Sequence, residues 1–109
     1  RELRFKEMVY DEENQVVEVF YKYKEKTVVY FINSSYKDSA FGINIDAKKV
    51  REYDEDINNH TFEIREYKVE GEKGYRYTAA FKEKDIEYYI IAAMNKSEFE
   101  KILNNLLFP

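Results

Sequence analysis

The 109-residue sequence predicts an α+β fold: an antiparallel, meander-like β-sheet of about six to seven strands with a C-terminal α-helix packed on one face. Three observations carry this. Tyr and Phe supply 11 and 8 residues, so aromatic side chains dominate the apolar content, and Val, Ile and Thr outnumber Ala and Leu. Flat and β-branched side chains fit a pleated, half-buried surface better than a helical bundle. Alternating apolar and polar residues recur along most of the chain, and a helical period appears only at its end. One domain spanning 1–109 fits this length.

Taken in order, residues 15–24 carry Val17, Val19, Tyr21 and Tyr23 on one face, the period of a strand with one wet side. Residues 27–32 and 86–94 are apolar on both faces, which places them centrally in the sheet. The stretch 33–61 is polar, yet a structureless loop of that length is unusual in a small domain. Ile43 and Ile45 fit a short strand there, and 49–53 another. In residues 62–69 the apolar phase slips by one between Ile64 and Tyr67, which a β-bulge at Arg65-Glu66 explains. Tyr75, Tyr77, Ala79 and Phe81 alternate with Arg76, Thr78, Ala80 and Lys82. Turns fall in the polar clusters 11–14, 24–26, 71–74 and 82–85.

The terminal helix is the sharpest local signal. Phe99, Ile102, Leu103 and Leu106 fall at i, i+3, i+4 and i+7. Asn95 caps, Glu98 completes a capping box, and Met94 with Phe99 fills the two positions of a hydrophobic staple. Phe108 ends the helical run and Pro109 sits just beyond it.

Composition narrows function by exclusion. The net charge is −4, with both signs interspersed, against the basic stripe that phosphate contacts demand, so no nucleic-acid partner is expected. The absence of cysteine removes disulfides, zinc–thiolate sites and cysteine nucleophiles. No apolar run reaches the ~20 residues of a membrane span, and no signal-peptide pattern opens the chain.

Chemistry-bearing motifs are thin. His60 is the sole histidine, and Ser34, Ser35, Ser39 and Ser97 lack a nucleophile-elbow context, so His60 reads as a loop residue before a strand. Residues 54–59 echo a calcium loop, but its twelfth position is Arg65 where a bidentate glutamate is needed. A solvated acidic loop is the better reading, and no metal or cofactor is expected. Gly71-Glu72-Lys73-Gly74 has the spacing of neither nucleotide fingerprint. Asn-x-Ser/Thr triplets at Asn33, Asn59 and Asn95 matter only in a eukaryotic secretory pathway. The remaining candidates are Tyr21, Tyr23, Tyr75 and Tyr77, which at i, i+2 on two strands form either core packing or one aromatic platform for a ligand. No catalytic residue is assigned.

The series Ile64-x-x-Tyr67, Gly74-Tyr75-x-Tyr77-x-Ala79-x-Phe81, Ile86-x-Tyr88-Tyr89-Ile90 and Met94-Asn95-Lys96-Ser97-Glu98-Phe99-Glu100-Lys101-Ile102-Leu103 resembles the bacterial domain-of-unknown-function family numbered 4367. Ser34-Ser35-Tyr36-Lys37-Asp38-Ser39 and Asp46-Ala47-Lys48-Lys49 are similar more loosely. Members of that family typically form the extracytoplasmic portion of membrane-anchored proteins of Gram-positive bacteria. The resemblance therefore implies a location outside the membrane and an anchor upstream of Arg1 that this chain lacks. It assigns no catalytic residues. The expected function is a binding or sensory domain acting on an unknown protein or small ligand. The alternative is a small carrier holding an apolar ligand in a cavity between sheet and helix.

Overall fold

Three two-residue turns organise the chain. Lys24-Glu25, Asn58-Asn59 and Lys84-Asp85 all have both residues at positive φ (49° and 69°, 54° and 65°, 52° and 68°). That is the turn whose twist matches paired antiparallel strands. Asparagine tolerates this backbone well, whereas Lys and Glu hold it at a cost of about 1 kcal/mol each. The computed structural model describes residues 3–13, 15–33 and 47–106. It contains β1 (Leu3–Asp11), β2 (Val16–Tyr23), β3 (Lys26–Asn33), β4 (Lys48–Ile57), β5 (His60–Lys68), β6 (Arg76–Glu83), β7 (Ile86–Ala93) and α1 (Lys96–Asn105).

All seven strands form one antiparallel sheet in the order β1-β2-β3-β7-β6-β5-β4. The sheet is two meanders, β1-β2-β3 and β4-β5-β6-β7, laid side by side and joined where β3 pairs with β7. The α+β expectation therefore holds, with the difference that strand order is not strictly sequential. The two segments apolar on both faces, β3 and β7, are the ones at the centre, where neither face is fully open to water.

Cross-strand register fixes one core face. Val19, Tyr30, Ile90, Ala79, Ile64 and Tyr53 form one row across six strands, and Tyr21, Val28, Ala92 and Tyr77 form the next. α1 lies on this face. Phe99, Ile102 and Leu103 are 0–1% exposed, and the Tyr77 ring stacks on Phe99 with centroids 5.5 Å apart. The predicted cap is present: Asn95 Oδ1 accepts the Glu98 N–H at 2.8 Å, and Met94 and Phe99 are both buried in the same core. At the other end Asn58 Nδ2 donates to the carbonyl of Asn104 at 3.0 Å, satisfying a helix-terminal acceptor from the β4–β5 turn. Phe108, Pro109, Ile43 and Ile45 lie outside the described residues.

Two expectations need correction. The bulge is not at Arg65-Glu66: β5 runs regularly against β6 there, with Glu66 opposite Tyr77. The phase slips because Glu66 itself faces the core, 8% exposed, with its carboxylate held 3.1 Å from Arg51 Nε. The register shift sits across from it on β4, between Lys49 and Arg51. Residues 54–59 are likewise not an acidic loop. Asp54, Glu55, Asp56 and Ile57 finish β4, and only Asn58-Asn59 turn. The strand expected at 49–53 is real and longer, Lys48–Ile57.

Candidate functional site

β1 is the outer strand of the first meander and pairs, among the described residues, with β2 alone. Its register sets Leu3 opposite Tyr23, Phe5 opposite Tyr21, Met8 opposite Val19 and Tyr10 opposite Val17. All four side chains thus project on the face that carries α1. A bulge makes this possible: Phe5 pairs with Tyr21 and Glu7 with Phe20, so Lys6 is the extra residue and the alternation resumes one position later. α1 covers the other end of this face. Phe5, Met8 and Tyr10 are left 61%, 64% and 57% exposed, and Val9 on the opposite face is 44% exposed. Phe5 meets Tyr21 edge-on, centroids 6.2 Å apart.

The same residues turn their peptide groups to the open side. The two-residue turn makes Tyr23 and Lys26 the closing hydrogen-bonded pair of the β2–β3 hairpin. Tyr21, Val19 and Val17, in step with Tyr23, therefore bond toward β3, and their opposites on β1 bond away from β2. Leu3, Phe5, Met8 and Tyr10 thus display both apolar side chains and N–H and C=O groups that, among the described residues, pair with no other strand. An apolar edge strand with free peptide groups is a template for another chain.

The four candidate tyrosines do not form one displayed face. Tyr23 and Tyr77 are each 3% exposed, Tyr21 is half-buried, Tyr75 precedes β6, and β3 and β7 separate β2 from β6. Burial raises the Tyr21 hydroxyl pKa; for Tyr77 burial leads, and Glu66 adds to it. Tyr75 alone is well exposed, at 43%. It lines a cleft of about 330 Å³ with Lys26, Lys73, Gly74, Met94 and Asn95, and Lys68 Nζ lies 5.4 Å from its ring centroid.

His60 is not a loop residue. It opens β5, half-buried, with its ring centroid 4.3 Å from that of Phe81. Asp56, Asn59 and Thr61 join it around a shallow cleft of about 450 Å³. Ser97 lies in the first turn of α1 at the opposite end of the sheet, beside the Lys26–Glu98 pair, whereas the turn next to His60 meets the helix C-terminus. Ser34, Ser35 and Ser39 lie outside the described residues. Among the described residues no group of three His, Asp or Glu is placed to hold a metal ion, and no helix is long and apolar enough to cross a membrane.

Sequence reasoning passed over a polar cluster beneath the helix. Arg51 and Lys96 each bring a cation 5.2 Å from the Tyr53 ring centroid. The Tyr53 hydroxyl is buried without a hydrogen-bond partner, and burial, with Glu100 adding, pushes its pKa up to about 12. Arg51 reaches from this ring to buried Glu66. The only trace of the cluster in the sequence is the slipped phase at Glu66.

No curated protein and no solved structure matches the chain. The profile of the family described as "Domain of unknown function (DUF4367)" matches residues 2–106. That span takes in all seven strands and the helix, and the chain belongs to the domain-of-unknown-function family DUF4367.

Proposed function

We propose that this domain is a non-catalytic binding or sensory module, displayed outside a bacterial membrane by an anchor elsewhere in its protein, and that it works by protein contact through the open edge of β1. One observation carries the contact surface. Of the six exposed large hydrophobic residues among those described, four (Phe5, Met8, Val9 and Tyr10) stand on this single nine-residue strand. Clustered apolar exposure of this kind marks interaction sites, whereas scattered single residues need no explanation. The location rests on the usual setting of the family. The carrier reading has less support, because the inward stripe of α1 packs directly on the sheet, with Phe99, Ile102 and Leu103 at 0–1% exposure.

A photoreactive phenylalanine analogue at Tyr10 of the full-length protein in its own cells tests the contact. An adduct from Tyr10, and none from the same label at Asp54 on β4, is expected; no adduct from Tyr10 overturns it. Protease added to intact cells should digest the domain, and full protection overturns the location.

A further inference from the structure

We infer that the partner of β1 is a second copy of this chain, pairing antiparallel about a two-fold axis between Lys6 and Glu7; this rests on the reading of β1 as a contact edge. The groups on that edge are symmetric about this point. Leu3, Phe5, Met8 and Tyr10 turn both side chain and peptide groups to the open side, and Lys6 and Glu7 occupy the bulge between them. In the two-fold arrangement Leu3 meets Tyr10 of the second copy and Phe5 meets its Met8. Each contact recurs by symmetry, closing about eight backbone hydrogen bonds. Apolar side chains face apolar ones in every such pair.

Charge completes the match. Lys6 falls opposite Glu7 of the second copy, and Glu7 opposite its Lys6, so two opposite-charge pairs sit at the axis. Both side chains are exposed in the single chain. Slipping the register by two residues either way sets Glu7 against Met8, or Phe5 against Lys6, whose peptide groups face opposite ways. Only in this register does the Lys6-Glu7 step of one bulge lie directly opposite the same step of the other. A bulge and a lysine commonly protect an edge strand from pairing; here two such edges complement each other. The resulting dimer carries one continuous sheet of twice seven strands.

Sedimentation velocity of the 109-residue chain over a wide concentration range tests this. A reversible species of twice 13.2 kDa is expected. Lys6→Glu places like charges opposite each other twice and should weaken the dimer about tenfold. The swap Lys6→Glu with Glu7→Lys should restore it, because each pair again joins opposite charges. Both positions are exposed, so the thermal transitions of the variants serve as the control for folding. Amides of Leu3, Phe5, Met8 and Tyr10 should gain exchange protection as concentration rises. A chain that stays monomeric, a dimer indifferent to Lys6→Glu, or a swap that fails to restore it overturns the inference. A monomer that still gives an adduct from Tyr10 with another protein overturns self-pairing alone. No adduct of any kind overturns the contact reading as well.

Discussion

The two outer strands of this sheet, β1 and β4, stand in the same topological position and are finished in opposite ways. β4 carries Lys48, Lys49, Arg51, Glu52, Asp54, Glu55 and Asp56 in ten residues. Its charges are tied locally: Glu52 reaches Lys49 at 2.6 Å and Arg65 at 3.2 Å, and Asp56 accepts from the Thr61 hydroxyl at 2.7 Å. α1 leans on this side through Asn58 and through the Tyr53 ring beneath Lys96. Among the described residues β1 has no such cover and shows Phe5, Met8 and Tyr10 instead. An edge dense in charge resists pairing with other chains, and an apolar edge invites it. The helix lies toward the β4 side of the face, so among the described residues the apolar edge is the one at β1.

The largest effect expected on the covered half comes from Leu103→Asp. This places an unpaired carboxylate at a position 0% exposed, a change worth ~4 kcal/mol or more. It should abolish the cooperative thermal transition followed by circular dichroism; an unchanged transition shows that α1 does not hold the β4 half together. Arg51→Ala comes next. It strips the buried Glu66 of its guanidinium, and although Arg51 itself is half exposed the midpoint of urea unfolding should fall. Adding Glu66→Leu should recover most of that loss; no recovery would place the cost in the Arg51–Tyr53 contact instead.

The smallest effect is a pH dependence confined to β4. Lys49, with smaller contributions that include Arg65, holds the Glu52 carboxyl well below 4.5, at about 2. The charged form is the bound form, so its contribution is whole above about 4.5 and drains as pH falls toward about 2. Amides of β4 should therefore lose exchange protection over that window before those of β2, and Glu52→Gln should remove the difference. Equal loss on both strands would show that the Glu52 pairs do not hold the edge.

Wherever one face is wet and the other buried, the fold was legible in the sequence. Tyr77, Ala79 and Phe81 alternate cleanly and form β6; Phe99, Ile102 and Leu103 carry the helix. Doubly apolar β3 and β7 were readable as central strands. Legibility failed where a local irregularity breaks the period. On β1 the bulge at Lys6 spaces Phe5 and Met8 by three, which hides the strand that matters most for contact. On β5 the inward Glu66 imitates a bulge, because a charged residue in a core row looks the same in sequence as a shifted register. The tyrosines were ambiguous for another reason: a phenol ring suits a core position and an exposed one equally well. Tyr77 and Tyr75, two residues apart, ended in opposite environments.

The seam between the two meanders has a kinetic consequence. Every pairing within a meander joins neighbours in sequence, through turns as short as Lys24-Glu25, Asn58-Asn59 and Lys84-Asp85. Pairing β3 with β7 instead brings Asn33 to Glu87 across the whole of β4, β5 and β6. Contacts of such sequence separation form late, since the loop must close before they are rewarded. The seam also completes the row of Tyr30, Ile90 and Ala79 on the face that carries α1. Refolding should therefore pass its slow step at the centre of the sheet, with hairpins at both flanks already formed.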